Sequence, residues 1–302
     1  MAPRNRPLAL LRALRPKQWM KNLLVFAGFV FTLNERWIPF SPAMWSYLWR
    51  SLGAFALFSL VSSSVYLLND VRDAEKDRLH PTKRRRPIAA GDLAPRVAVG
   101  VAAVMIPGCL VAGYLLAPAF AAVAGSYLVM QFCYILALKE LVLLDVFVLA
   151  LGFVMRAVSG AVAIGVEISP WLYTVTLLGA LFLGLCKRRS ELVLLEQGAA
   201  GHRKILEKYT PGLLDSLISI VASSTIMAYS LYTFSAENLP RDHSMMMTIP
   251  LVLYGLFRYL YLVRVQQKGG APEDLLLTDP GLLGTAVAWV ALSVIILYVI
   301  PH

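Results

Sequence analysis

The sequence has few charged residues and few side chains suited to a disulfide or a transition-metal site. Only 15% of its 302 residues are charged, and it contains three cysteines and four histidines. Cys109, Cys133 and Cys186 lie in apolar runs without CxxC spacing, as core residues do, and the histidines form no ligand set. Ser/Gly linkers, low-complexity tracts and short repeats are also missing. We therefore expect one polytopic domain over residues 1–302.

Apolar residues are abundant instead. They make up 58% of the chain, and the mean hydropathy of +0.67 exceeds that of ordinary soluble domains. Most apolar segments have the ~20 residues that a helix needs to cross a bilayer. With a shorter first segment that begins near residue 15, they predict an all-α membrane protein with nine transmembrane helices. The other eight segments lie at about 46–68, 97–117, 119–138, 141–165, 170–186, 212–234, 246–265 and 281–300.

The basic residues predict both the orientation and the kind of partner. The net charge is +10, but the basic residues lie between apolar runs, which favours lipid headgroups and substrate phosphates over nucleic acid. If the N-terminus is cytoplasmic, 23 of the 28 lysines and arginines are cytoplasmic and three are external. This bias predicts a cytoplasmic N-terminus and an external C-terminus. The expected location is a bacterial-type plasma membrane. The basic start is interpreted as a retained first helix, because no convincing signal-peptide cleavage site follows. The loops of chemical interest, about 69–96, 134–145, 186–211 and 264–280, are all predicted to be cytoplasmic.

An acidic motif follows the second apolar segment and carries the main functional prediction. On a helical wheel, Asn69, Asp70, Asp73 and Asp77 share an arc of about 100°, whereas Glu75 lies on the opposite side. Carboxylates this close repel one another unless a cation lies among them. An all-oxygen cluster suits Mg²⁺ shared with a phosphorylated substrate. These four residues are the predicted metal ligands and catalytic residues.

The same face continues back into the apolar segment through Tyr66, Ser62 and Ser59. A polar face that runs from the membrane surface into a helix bundle indicates the wall of a cavity. The alternative is a solvated, charged helix end.

Basic and polar side chains near these loops are candidates for binding phosphate. The segment at 15–22 is predicted to start a helix on which Lys17 and Lys21 share a face. Because positive-inside topology alone would supply basic loops, that explanation stays open for every cation. Topology would not supply the acids; acids that hold Mg²⁺ among cations suit a diphosphate. The candidate substrate-binding residues are Lys17, Lys21, Asn22, Tyr66, Lys83, Arg84, Arg86, Tyr134, Lys139, Asp145, Arg156, Lys187, Arg188, Arg189 and Glu191.

Arg156 differs from the other candidates because it lies within an apolar segment. It is about 15 residues, or ~22 Å of helix, beyond Leu141. An arginine in a span is costly and usually functional, but this depth also suits a structural role with a buried acceptor. Both interpretations stay open.

Nine predicted spans, with NDVRDAEKD at 69–77 after the second, resemble the UbiA-type membrane prenyltransferase superfamily. The chain is most similar to its polyprenyl-phosphate phosphoribosyltransferase branch, through RPKQWMKN at 15–22, LLDVFVLALGFVMRAVSGAVA at 143–163, CKRRSELVLLE at 186–196 and PEDLLLTDP at 272–280. The resemblance implies a nine-helix bundle with a cytoplasmic active site. The chain departs from ordinary members of this superfamily after the sixth helix, where KRRSEL stands in place of a second aspartate-rich motif.

The resemblance also implies a reaction. An Mg²⁺-dependent enzyme would transfer 5-phosphoribose from 5-phosphoribosyl diphosphate to a long, decaprenyl-type polyprenyl phosphate, as a precursor of cell-envelope glycan. Basic residues in place of the second acidic motif suit an acceptor that is itself a lipid phosphate. Two alternatives remain: a prenyltransferase that acts on an aromatic or other acceptor, and a lipid-phosphate carrier without chemistry.

Overall fold

The structure is a computed structural model that describes residues 6–79, 83–167, 169–196, 204–236, 239–268 and 272–299. Over these ranges the chain is helical and has no strand beyond one isolated bridge between Leu33 and Trp37, which confirms the all-α prediction. The α-helices α1 to α11 are, in chain order, Arg6–Ala13, Ala27–Val30, Pro42–Leu79, Pro95–Leu116, Pro118–Leu136, Leu144–Ile164, Pro170–Glu196, Pro211–Ser235, Ile249–Arg264, Pro272–Thr278 and Pro280–Val299.

Eight helices in the described part of the chain are long and apolar enough to cross a membrane. They are α3 to α9 and α11, where α9 is counted together with the short 3₁₀-helix Ser244–Thr248 that precedes it. These helices match the eight long apolar segments predicted from the sequence. Most of them begin at a proline, whose fixed φ suits the first helical turn and whose missing N–H costs nothing there.

The first predicted segment has a different structure. Pro16–Phe26 forms a 3₁₀-helix of 11 residues, and only the four-residue α2 follows it. The predicted count of nine spanning helices is therefore not confirmed, because the described residues contain eight. The prediction that Lys17 and Lys21 share a face is wrong, since residues four apart lie about 120° apart on a 3₁₀-helix. Lys17 is exposed and Lys21 is half-buried.

Helix α3 is longer than a bilayer requires. Its 38 residues span about 57 Å at the rise of an α-helix, whereas the hydrocarbon core is about 30 Å thick. The acidic motif, from Asn69 to Asp77, occupies its C-terminal end. It is therefore carried on a continuous helix beyond the apolar run, and each side chain has a fixed direction.

The chain divides into two compact units. The first comprises Met1–Ala27, Tyr47–Lys139 and Met155–Glu167, and the second comprises Gly28–Ser46, Glu140–Val154 and Ile168–His302. The prediction of a single polytopic domain stays a prediction.

In the first unit, α1, α3 and α4 bury a small apolar core that contains Leu67, Ile88 and Ala98. The 3₁₀-helix also approaches α6 closely at one glycine. A Cβ atom on Gly160 would lie 1.8 Å from the carbonyl oxygen of Val25, so only glycine allows this backbone contact.

In the second unit, α7, α8 and α9 pack around a core that includes Phe182, Leu214 and Leu262. The hydroxyl of Thr210 caps the N-terminus of α8 by accepting a hydrogen bond from the Leu213 N–H at 3.2 Å. These contacts fix the end of α7 and the beginning of α8.

Candidate active site

The acidic side chains of α3 differ in exposure around the helix. Asp70 and Asp77 are buried, with 2% and 4% of their surface exposed, and Asp73 is half-buried. Glu75 is exposed. The structure thus places the three aspartates on the inner side of α3 and the glutamate outside, as the helical wheel predicts.

Two arginines bind the buried aspartates. Arg86 Nη1 donates to Asp70 Oδ1 at 3.0 Å and to Asp77 Oδ2 at 2.6 Å. Arg15 Nη2 donates to the same Asp70 oxygen at 2.5 Å, and its guanidinium carbon lies 5.1 Å from the centre of the Tyr66 ring. Asp70 is therefore contacted by a residue before the first segment and by a residue after the acidic motif.

Lys139 contacts the third aspartate. Its Nζ lies 3.4 Å from Asp73 Oδ1. On the other side of α3, Arg72 donates to the carbonyl groups of Ile135 and Leu136 in the last turn of α5, where carbonyls lack partners within the helix. The two contacts hold the turn that carries Lys139 against α3.

The cluster, defined as Asp70, Asp73 and Asp77 with Arg15, Arg86 and Lys139, pairs three carboxylates with three cations. Among the described residues, no three Asp, Glu, His or Cys side chains are arranged so that they could hold a metal ion. The donor set nevertheless fits Mg²⁺ chemically, because carboxylate and amide oxygens are its preferred ligands. Arg86 Nη1 contacts both Asp70 and Asp77, so one cation can lie between these two carboxylates. A metal ion can bind between them only if the Arg86 guanidinium moves away.

A second polar group lies deeper in the first unit. Arg156 Nε donates to Asn22 Oδ1 at 2.7 Å and Nη2 donates to the Tyr127 hydroxyl at 3.2 Å. The Asn22 amide donates to Ser59 Oγ at 2.9 Å and to Ser62 Oγ at 3.3 Å. Since Asn22 and Arg156 are 1% and 5% exposed, the two residues link the 3₁₀-helix to α3 and α6 in the interior. These contacts favour the structural interpretation of Arg156.

Three serines of α3, Ser59, Ser62 and Ser63, therefore hold the first segment by hydrogen bonds. Trp19 Nε1 donates to Ser63 Oγ at 3.0 Å, and Ser63 Oγ donates to the Leu14 carbonyl at 2.8 Å. Hydrogen bonds to serines and the close contact at Gly160 thus add to the apolar packing that holds the first segment against α3 and α6.

The remaining candidates of the first unit lie around this region with different exposure. Tyr134 is buried, and Arg84 and Lys17 are exposed. The half-buried candidates are Lys21, Tyr66, Asn69 and Lys83.

In the second unit, Arg188 and Glu191, which follow the sixth predicted segment, form a network with Asp145. Arg188, which is 2% exposed, donates from Nε to Asp145 Oδ2 at 2.6 Å and from Nη1 to Glu191 Oε2 at 2.5 Å. The Tyr209 hydroxyl donates to Asp145 Oδ1 at 2.6 Å and accepts from the Leu143 N–H at 2.8 Å. Burial, and then the hydrogen bond to Asp145, raise the pKa of Tyr209. Asp145 and Arg188 are thus engaged within the protein.

Arg189 points to another partner. Its Nε donates to Asp215 Oδ1 at 2.7 Å, and Arg264 Nη2 lies 3.3 Å from the same oxygen. This group joins the end of α7 to the beginning of α8 and the end of α9. Lys187, next to these arginines, is half-buried.

Comparison with known proteins identifies the family. The sequence profile of the UbiA prenyltransferase family matches residues 23–274. This chain belongs to that family. Two relatives named decaprenyl-phosphate phosphoribosyltransferase are each 36% identical to it. The match to the Corynebacterium glutamicum protein covers 99% of this chain and 90% of that protein, and the match to the Mycobacterium tuberculosis protein covers 96% and 94%.

A solved UbiA homolog from Archaeoglobus fulgidus, bound to DMAPP and Mg²⁺, has the same fold. Its TM-score is 0.70 at 18% identity, over 96% of this chain and 99% of that chain. The family resemblance drawn from the sequence is confirmed, and so is the expectation of a multi-pass, helical membrane protein.

Sequence reasoning about this UbiA family member missed three residues that the structure brings to the candidate groups. They are Arg15, Tyr127 and Tyr209. Arg15 carried a signal, because it directly precedes Pro16 and a residue before proline tends to end a helix. Its backbone is left-handed, with φ 55°, where α1 gives way to the 3₁₀-helix. The two tyrosines gave no signal, since their partners lie 29 and 64 residues away in the chain.

Proposed function

We propose that this UbiA family member transfers the 5-phosphoribosyl group of 5-phosphoribosyl diphosphate to a decaprenyl-type polyprenyl phosphate and releases diphosphate. The identity of 36% to two decaprenyl-phosphate phosphoribosyltransferases, over at least 96% of this chain, carries the proposal. The cluster on α3 supports it, because alternating carboxylates and cations suit a metal-bound diphosphate.

In this proposal the cluster binds the leaving diphosphate. Asp73 and Asp77, with Asn69 and Asp70, would hold Mg²⁺, which when bound neutralises the charge that grows on the leaving group as the bond to ribose C1 breaks. Arg15, Arg86 and Lys139 lie within contact distance of these carboxylates, so they can donate to phosphate oxygens beside them.

The acceptor requires positioning more than activation. A lipid phosphate oxygen is already anionic at neutral pH, so it needs little help from a general base. Lys17 is exposed on the 3₁₀-helix and Lys21 is half-buried there, which makes them the candidates of the first unit for the lipid phosphate. Exposed apolar side chains of the spanning helices provide surface for the lipid tail.

We also propose that the N-terminus and the cluster face the cytoplasm and that the C-terminus is external. The positive-inside bias supports this orientation. A reporter that is active only outside the cytoplasm should be active when it is fused after residue 302. Activity of a strictly cytoplasmic reporter at that position would contradict the proposed orientation.

The reaction is tested with purified protein, Mg²⁺ and labelled substrates. Diphosphate should be released only when 5-phosphoribosyl diphosphate and a polyprenyl monophosphate are both present, and EDTA should stop the release. The lipid product should carry ribose 5-phosphate and keep its own phosphate. A prenylated aromatic product formed from a polyprenyl diphosphate would show the ordinary prenyltransferase activity instead, and lipid binding without any product would favour a carrier.

A further inference from the structure

The aspartates of α3 are already neutralised by cations of the chain itself. Arg86 touches both buried aspartates, at 3.0 and 2.6 Å, and Arg15 adds a contact to Asp70 at 2.5 Å. Asp70 and Asp77 are 2% and 4% exposed, so water screens these contacts weakly. A bare metal ion that approaches the carboxylates therefore meets fixed positive charge at the atoms it needs.

We propose that Arg15 and Arg86 are internal counter-ions that keep Mg²⁺ from binding alone and allow it to bind together with a diphosphate. The inference rests on the proposed function and adds the role of these two arginines to it. When a metal–diphosphate complex arrives, the guanidinium groups transfer their hydrogen bonds from the carboxylates to phosphate oxygens. The carboxylates are then released to the metal.

Charge and geometry both favour this exchange. A guanidinium binds a phosphate as well as it binds a carboxylate, through the same planar set of donors. The exchange leaves no buried charge without a partner, since each arginine gains an anion when it loses one. Arg15 and Arg86 have 24% and 26% of their side-chain surface exposed, which gives them room to turn.

The connection of the two arginines to the chain also allows the movement. Arg86 follows the short 3₁₀-helix Lys83–Arg85, and Arg15 lies at the left-handed junction between α1 and Pro16–Phe26. Both reach the cluster from connecting segments, whereas the aspartates are fixed on the long helix α3. The cations can therefore rearrange without moving the acids.

The test measures metal binding without lipid or phosphoribose. Mn²⁺ is used as the probe for the Mg²⁺ site, and the metal retained by the purified protein is determined by equilibrium dialysis with and without inorganic pyrophosphate. The free Mn²⁺–pyrophosphate complex equilibrates across both chambers, so it does not contribute to the difference in Mn²⁺ concentration that reports binding to the protein. For the unchanged protein, pyrophosphate should raise the apparent affinity for Mn²⁺ at least about tenfold.

The decisive variant is Arg86→Gln, and Arg85→Gln is its matched control. Both changes remove one positive charge from neighbouring positions, but Arg85 is exposed and is not part of the cluster. Arg86→Gln should bind Mn²⁺ alone about tenfold more tightly than the unchanged protein, and pyrophosphate should add much less to it. Arg85→Gln should stay within about twofold of the unchanged protein, because solvent screens its charge.

Two results would overturn the proposal. One is that the unchanged protein binds Mn²⁺ equally well with and without pyrophosphate, and the other is that Arg86→Gln binds Mn²⁺ no better than Arg85→Gln. If Arg86→Gln does not elute as a single species, the same comparison is made between Arg15→Gln and its exposed neighbour variant Arg12→Gln. Failure of the proposed function would appear separately, as missing phosphoribosyl-lipid product in a protein whose metal binding behaves as described.

Discussion

Replacing Arg188 should destabilise the protein and should not act mainly on substrate affinity. From the sequence alone, Arg188 is a candidate for binding a substrate phosphate. In the structure the side chain is 2% exposed and donates to Asp145 and Glu191, and Asp145 itself is fully buried. Arg188→Met would remove the guanidinium while keeping much of the side-chain volume. The Asp145 carboxylate would then stay buried without the guanidinium, while the Tyr209 hydroxyl still donates to it.

The size of the effect follows from this burial. Removing one partner of a buried ion pair costs about 3–5 kcal/mol, because the other charge is left without compensation. A change of 1 kcal/mol shifts the unfolding temperature by about 2–4 °C in domains of 150–250 residues. Arg188→Met should therefore lower the apparent unfolding temperature by about 6 °C or more. The double variant Asp145→Leu with Arg188→Met removes both charges and should recover at least about half of that loss.

Heating in detergent, monitored by the loss of the monodisperse species, gives the unfolding temperatures of the unchanged protein, Arg188→Met and the double variant. Lys187→Gln is the comparison at the neighbouring position, which is less buried, and it should change the temperature by less than about 2 °C. An Arg188→Met protein that unfolds at the unchanged temperature but has a raised KM would refute the structural role of Arg188. Such a result would favour the interpretation that Arg188 binds substrate.

The other predictions address the acidic motif, the first segment and an ion pair near α11. Asp77→Ala should lower turnover at least about a hundredfold through the lost contact to the leaving group, whereas Glu75→Ala, an exposed site, should stay near the unchanged rate; equal losses would contradict the one-face geometry. Gly160→Ala should lower the unfolding temperature sharply, because its Cβ meets a backbone oxygen at 1.8 Å, while Gly125→Ala, with open space around it, should be neutral or stabilising; similar behaviour of both would contradict the close contact. A hydrogen bond from Arg258 lowers the pKa of Asp279. The stabilising effect of this ion pair is therefore present above pH ~4 and is lost on acidification. Asp279→Asn should therefore be less stable than the unchanged protein at pH ~6, and this difference should shrink as the pH falls below ~4; a constant difference would contradict the assignment.

The spanning helices were predictable because the bilayer imposes their length. An apolar run of ~20 residues is visible in any sequence, and all eight long runs became helices at nearly the predicted positions. The placement of Asp70, Asp73 and Asp77 was predictable for a similar reason, since they lie on one continuous helix whose period is known.

The first segment could not be predicted in the same way. Its 3₁₀ conformation depends on contacts with distant residues, namely the Ser59 and Ser62 hydroxyls, the Arg156 guanidinium and the flat surface at Gly160. A short basic stretch followed by a short apolar run contains no local signal that separates this conformation from an α-helix. Propensity is a weak guide where tertiary hydrogen bonds determine the backbone.

The basic residues show why charge in a loop is weak support for a substrate site. Arg188 and Arg189 stand side by side in the sequence, yet the rotation of about 100° between neighbouring helical residues directs them to different carboxylates, Asp145 and Asp215. Asp145 was expected to bind substrate, and Asp215 was not among the candidate residues. On α3, by contrast, the two arginines that bind the buried aspartates, Arg15 and Arg86, retain exposed surface. If the proposed exchange takes place, a phosphate-binding arginine differs from Arg188 because it can replace its carboxylate by another anion. The exposure that permits this comes from the fold and cannot be inferred from the residue type.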